Sequence, residues 1–447
     1  MSRSAPGAGA GASTRVEHGQ AEVSWREGTG SESTGTEDTE PEGAGTRLPA
    51  LDVDRIRADF PALAAGTAHF DAPGGTQTPL PVIRAIADIL TAPLANRGND
   101  TSGARNAESA VAAARLAVAD LVGGDPRGVV FGRSATELAM TVARTLAASW
   151  RPGDEVVVTR LDHDANIRPW IIAAERAGVV VRWADFDPTS GDLPTGAVTD
   201  LIGARTRVVA LTAASNLIGT RPDVPSVAAA AHEVGALCAV DGVHYTAHAA
   251  VDLRVLGADL FWCSPYKFFG PHHGVLVADP RLLETLHPDK LLPSTDAVPE
   301  RFELGTLPYE LLAGTTAAVD YLAELVPGTG SRRERLARSM AASEAHQARL
   351  CTTLRHGLEE RGAVLYGAHA ASRTSTLLFD LPGHPAADVA AGLAAAGVSA
   401  PAGSFYAIEA SRHLGLGDHG AVRTGLAAYS SPEDVRRLLG ALDRLIG

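Results

Sequence analysis

From residue 51 onward the chain alternates short apolar runs with longer stretches of helical periodicity. The runs at 128–131, 155–158, 179–183, 207–211, 236–240 and 260–263 lack clean two-residue alternation, as expected of strands whose two faces are both covered by helices. Helical patterns fill the intervals at 137–150, 166–177 and 225–234. This βαβ rhythm predicts an α/β domain built on a mostly parallel sheet. After about residue 310 the pattern changes to long Ala/Leu/Arg helices and then to short strands at 363–366 and 375–379, which predicts a second, smaller α+β domain. No internal repeat is visible.

Residues 2–47 break the rhythm. They are Gly, Ala, Ser, Thr and Glu with almost no large apolar side chain, a composition that buries too little surface to offset the entropy of ordering. A disordered tail over 1–48 is predicted, a large domain over 62–310, and a small domain over 49–61 and 311–447. Gly7, Gly9 and Ala12 have GxGxxA spacing, but no strand precedes them and no helix follows, so a dinucleotide-binding reading fails in context.

Composition narrows the function. With 447 residues, 45% hydrophobic and 20% charged, the chain has the make-up of a globular protein, and its apolar runs stop well short of the ~20 residues that span a bilayer. Net charge is −13 and the basic residues are scattered, which argues against nucleic acid as a partner and for a small molecule. Cys238, Cys263 and Cys351 make neither a disulfide framework nor a paired metal motif, and Met1 leads into no apolar signal, so a reduced, cytoplasmic setting is expected. The pairs His244/His248 and His272/His273 lack the HExxH or cysteine context of a metal site, and none is expected.

The strongest chemical signal is Ser264-Pro265-Tyr266-Lys267-Phe268-Phe269, directly after a strand. A lysine there sits in the crevice outside the strand ends, where open α/β sheets bind ligands. The neighbouring phenylalanines would desolvate it and lower its pKa, as imine chemistry requires; a surface loop lysine is the competing reading. Asp241, ending the preceding strand, suits pyridoxal 5′-phosphate, whose ring nitrogen needs an acidic partner to act as an electron sink. A plain helix cap would also account for it. Ser134-Ala135-Thr136-Glu137 opens a helix with capping-box spacing and offers free N–H groups to a phosphate, although such boxes open many helices that bind nothing.

Several further runs occur in an order that resembles the class V aminotransferases, and among them the cysteine desulfurase-like proteins. They are Leu161-Asp162-His163-Asp164-Ala165-Asn166, Ser215-Asn216-Leu217-Ile218-Gly219-Thr220, Val240-Asp241-Gly242-Val243-His244 and Ser264-Pro265-Tyr266-Lys267. The likeness spans about residue 51 to the C-terminus. It implies the fold type I architecture of pyridoxal-phosphate enzymes, a mostly parallel seven-stranded sheet between helices, with Lys267 carrying the cofactor as a Schiff base. It further implies that His163 covers the cofactor ring and can shuttle protons, that Asn216 and His244 approach the phenolic oxygen, and that Ala135, Thr136, Ser264 and Tyr266 hold the phosphate. His244 stands where these proteins usually have glutamine, and Tyr266 where a histidine is common. Thr306, in Arg301-Phe302-Glu303-Leu304-Gly305-Thr306, would reach the partner's phosphate in a homodimer. Arg423 would clamp a substrate carboxylate, an exposed arginine being the alternative, and Gly74 and Gly75 of Asp71-Ala72-Pro73-Gly74-Gly75-Thr76 would line the substrate's entry.

One departure is informative. Where the desulfurases carry a catalytic cysteine, Pro401-Ala402-Gly403-Ser404-Phe405-Tyr406 presents Tyr406. The expected reaction is therefore C–S cleavage by β-elimination from cysteine or a cysteine conjugate, with persulfide formation, transamination and epimerisation as alternatives. A non-catalytic module that retains the cofactor is the alternative of another class.

Overall fold

The computed structural model describes residues 50–447; the tail predicted over 1–48, with Gly7, Gly9 and Ala12, lies outside the described residues. The central sheet has seven strands: β1 (Val129–Gly132), β2 (Glu155–Thr159), β3 (Val180–Ala184), β4 (Thr206–Thr212), β5 (Leu237–Asp241), β6 (Leu260–Cys263) and β7 (Gly274–Ala278). Their spatial order is β1-β7-β6-β5-β4-β2-β3. All run parallel except β7, which is antiparallel to both of its neighbours.

Six strands coincide with the apolar runs, and β7 is the one that the hydrophobic pattern had not marked. One expectation about burial is corrected. The run at 179–183 was read as covered on both faces, but β3 is the sheet edge, with Val180 and Arg182 exposed and Val181 and Trp183 only half-buried. An edge strand has one neighbour, so its sequence can be apolar without being enclosed.

Helices α1 (Ser102–Val122), α2 (Ala135–Ala147) and α3 (Arg168–Ala177) cover the sheet. Two cores result, one on each face: Val157, Val209, Val240 and Phe261 point to one, and Val156, Val158, Val208 and Trp262 to the other. Downstream, α4 (Tyr309–Ala323) and α5 (Arg332–Glu360), the latter opened by a complete Ser331/Glu334 capping box, lead into a second, antiparallel sheet. It contains β8 (Val364–Tyr366), β9 (Thr376–Asp380), β10 (Ala402–Gly403) and β11 (Ala421–Gly425) in the order β10-β11-β9-β8. This sheet has its own apolar core, including Leu377, Phe379, Leu393, Val422 and Leu438. Among the described residues no helix is long and apolar enough to cross a membrane.

Candidate active site

The carboxyl ends of the parallel strands form one rim, and most of the predicted residues, though not Thr306, gather at or beside it. After β1 the chain turns at Ser134, whose hydroxyl accepts the N–H of Glu137 at 3.1 Å to start α2. The reciprocal half of the predicted capping box is absent, because the Glu137 carboxylate accepts the hydroxyl of Thr141 instead, at 3.2 Å. Ala135 and Thr136 are the first residues of that helix, where N–H groups have no intrahelical partner. Because β7 runs backwards, Gly274 pairs with Gly132 at this same rim, and a Cβ on Gly274 would lie 2.1 Å from the Ser134 carbonyl carbon. Glycine is what allows the two backbones to pass so closely.

Asp241 ends β5 and is buried; its Oδ1 accepts the N–H of Val243 at 2.8 Å, and burial pushes its pKa up to about 6. It therefore does what a local cap does while still lining the cavity. Lys267 follows β6 in a short turn and is buried, so the surface-lysine reading does not hold. Burial, and then the nearby Arg423, lower its amine to about 7. Its Nζ donates to the carbonyl of Gly74 at 3.1 Å and to that of Pro73. His163, Asn216, His244, Ser264 and Tyr266 line the same cavity.

The walls contain polar atoms with no partner among the described residues. His244 Nε2 lies 3.1 Å from the hydroxyls of both Thr374 and Thr376, while its Nδ1 is buried and unbonded. Burial, and then His248, hold His244 well below the usual histidine range, so its ring is neutral. Asn216 donates from Nδ2 to the Phe405 carbonyl at 3.0 Å, and its Oδ1 is buried without a partner. His163 is held neutral, down to about 4, by burial and Lys267.

A wider mouth opens beside this cavity, lined by Gly74, Tyr406 and Arg423 and sharing His163 and Lys267 with it. Arg423 sits in β11 and is fully buried, which rules out the exposed-arginine reading. Its Nη1 donates to the Asn216 carbonyl at 3.1 Å and its Nη2 to Asp71 Oδ1 at 2.6 Å. Phe405 covers the guanidinium, with Cζ 3.6 Å from the ring centroid. Tyr406 is 75% exposed and stacks on His163, centroids 5.6 Å apart at 25°. Both Phe405 and Tyr406 have positive φ, 52° and 60°, and the hydrogen bond from the Asp164 N–H to the Tyr406 carbonyl, at 2.7 Å, helps to hold that conformation.

Gly75 lies against Tyr266, to whose carbonyl the next residue, Thr76, donates its N–H at 3.0 Å. Thr306 is exposed and lines neither opening. The three cysteines are buried and line neither as well. Sequence reasoning passed over Phe405 and Asp71, although both stand inside segments it had singled out. Thr374 and Thr376 carried no signal, since they reach His244 from 130 and 132 residues away, and neither did Gln347, which lies 2.8 Å from the neighbouring His248 but 99 residues from it in the chain.

This donor set fits pyridoxal phosphate. A buried carboxylate, a lysine near neutrality, free N–H groups at a helix start and unpartnered polar atoms at His244 and Asn216 converge on one cavity.

The family model Aminotransferase class-V matches residues 68–438. An uncharacterized protein of Mycobacterium tuberculosis is 35% identical over 89% of this chain and 100% of its own length. A probable cysteine desulfurase of Pseudomonas aeruginosa is 34% identical, over 87% of this chain and 97% of that protein. Among solved structures, a cysteine desulfurase from Escherichia coli aligns with TM-score 0.78 and 27% identity, covering 89% of this chain and 98% of the other. One from Thermococcus onnurineus aligns with TM-score 0.80 and 25% identity, at the same coverage.

Proposed function

Because the chain belongs to the class V aminotransferase family, whose members use pyridoxal 5′-phosphate, we propose that it is a pyridoxal-phosphate enzyme that cleaves the C–S bond of a cysteine-type amino acid by β-elimination. Bound in the cavity, the cofactor supplies a covalent grip on the substrate's amino nitrogen and a protonated ring that withdraws electrons from its α-carbon. Lys267 is assigned the covalent hold on the cofactor. Its lowered pKa suits the amine afterwards to take the α-proton near neutral pH. Asp241 is assigned the ring nitrogen, where a carboxylate keeps a proton in place.

The Ala135 and Thr136 N–H groups, with Ser264 and Tyr266, are assigned the phosphate. His244 and Asn216 present buried, unbonded atoms suited to the phenolic oxygen, and His163 suits the ring face. Arg423 is assigned the α-carboxylate, for which a planar fork of donors is matched in shape. Gly74, Gly75 and Tyr406 belong to the substrate's entry. Thr306 is assigned to the partner's phosphate in a homodimer; the exposed apolar side chains of Leu291, Leu292 and Leu304 in the same stretch support such a contact.

The observation that carries β-elimination is the place of the cysteines. Burial pushes the Cys238 thiol up beyond the ordinary range and that of Cys263 to about 12, and no thiol lines the mouth, where Tyr406 stands. Elimination needs only a carbanion and a leaving thiolate, not a protein sulfur acceptor. The test is to incubate cofactor-loaded protein with cysteine, cystine and thioether amino acids. Pyruvate with sulfide or thiol is expected. Alanine with sulfane sulfur, or a keto acid retaining the carbon skeleton, would overturn the assignment in favour of desulfuration or transamination.

A further inference from the structure

Arg423 already holds a carboxylate. Its side chain is only 2% exposed, and a guanidinium so enclosed requires a nearby negative charge, which Asp71 supplies at 2.6 Å. The bonded atom, Nη2, belongs to both edges through which a guanidinium grips a carboxylate bidentately, Nε with Nη2 and Nη1 with Nη2. Nη1 is occupied by the Asn216 carbonyl, and Nε is buried with no partner among the described residues. A substrate carboxylate seeking a two-point grip therefore competes directly with Asp71.

The two partners differ in their freedom to yield. Arg423 is fixed in β11 under the ring of Phe405, whereas the Asp71 side chain is 36% exposed and faces the wider mouth. The Asp71 backbone is pinned, since its carbonyl accepts the N–H groups of Gly74 at 2.9 Å and of Gly75 at 3.0 Å. Any movement is thus a rotation of the side chain. Gly74 permits the present position, because a Cβ there would lie 2.3 Å from Asp71 Oδ2.

We infer that Asp71 is the resident counter-ion of Arg423 and that a substrate's α-carboxylate enters by exchange with it, which makes Asp71 a specificity-determining residue. The inference rests on the reading of Arg423 as the carboxylate clamp. Ligands without a carboxylate, such as amines and amides, cannot replace the charge that Arg423 would lose, so the exchange excludes them. Carboxylate ligands bind with an affinity reduced by the competition from Asp71.

The experiment uses cofactor-loaded wild type, Asp71→Asn and Gly74→Ala, with isothermal titration of propionate, a carboxylate that has no amino group to react. Asp71→Asn removes the competing charge, and Gly74→Ala crowds it off Arg423 while keeping it in the chain, so the second variant decides if the first fails to fold. Both should bind propionate about tenfold tighter than wild type, a change of about 1.4 kcal/mol, and both should lower KM for the amino-acid substrate. Unchanged or weaker propionate binding in Gly74→Ala would mean that Asp71 stays on Arg423 as a fixed support, and would overturn the inference. If wild type turns over no sulfur amino acid yet the propionate gain appears, the proposed reaction fails and the exchange stands; turnover without the gain is the reverse case.

Discussion

Phe405 lies flat against the guanidinium of Arg423, its ring centroid 3.6 Å from Cζ, and it does so from a left-handed backbone conformation. The contact closes one face of the cation to water and leaves only its edges for a ligand. A cation held over an aromatic ring in a desolvated place is stabilised by about 1–2 kcal/mol.

Removing that ceiling should loosen the clamp. Phe405→Ala is expected to raise KM about 5- to 30-fold, with a smaller change in kcat, and Phe405→Tyr should restore most of the loss. Steady-state kinetics on the two variants would check this; an unchanged KM in the alanine variant would remove Phe405 from the binding site.

The amine of Lys267 is brought down to about 7 by burial, so its unprotonated, attacking form is scarce below pH 7 and dominant above it. Cofactor-free protein mixed with pyridoxal phosphate should develop the shifted absorbance of the Schiff base at a rate that climbs about tenfold between pH 6 and pH 8 and then levels off. Stopped-flow absorbance measures the rate. Lys267→Ala should form no borohydride-reducible link to the cofactor at any pH.

Asp241→Asn keeps the shape and the hydrogen bond from the Val243 N–H but gives up the charge. Cofactor should still bind, while turnover falls by on the order of 10²- to 10³-fold. Titration of the visible absorbance separates the two effects. Loss of cofactor without loss of turnover per bound cofactor would assign Asp241 to packing.

Replacing all three thiols, as Cys238→Ala, Cys263→Ala and Cys351→Ser, should leave the yield of pyruvate per bound cofactor within about threefold of wild type. Each cysteine is buried, so the melting temperature should fall by several degrees, at about 1 kcal/mol per site. Assay of pyruvate and sulfide alongside a thermal melt distinguishes a chemical role from a packing one.

The sheet was legible because six of its strands coincide with apolar runs: enclosure by helices on both faces writes itself into sequence as hydrophobicity without alternation, and the edge strand β3 is the exception that is apolar without being enclosed. β7 was not picked out, although it is as buried as the rest: Gly274-Val275-Leu276-Val277-Ala278 is short and sits directly behind the lysine turn, with no crossover helix to announce it. Lys267 and Asp241 could be singled out because one follows a strand directly and the other ends one, whereas His163 came only with the likeness to a family. Arg423 needed the likeness to a family, since nothing local distinguishes a buried arginine in a small-domain strand. The Asp71 contact and the threonines behind His244 are products of tertiary packing between distant segments, and no periodicity encodes them. Tyr406 was singled out as the residue standing where the desulfurases have cysteine, but its stacking on His163 depends on two residues in unusual backbone conformations that no sequence pattern reveals.

The reversed direction of the last central strand has a consequence for how the catalytic centre comes into being during synthesis. Gly274 must be laid beside Ser134 before the helix start assigned to the phosphate takes its final form, and Arg423 arrives only some 150 residues later. A growing chain would thus lay down the rim assigned to the cofactor before it makes the arginine proposed to recognise an amino acid's acid group.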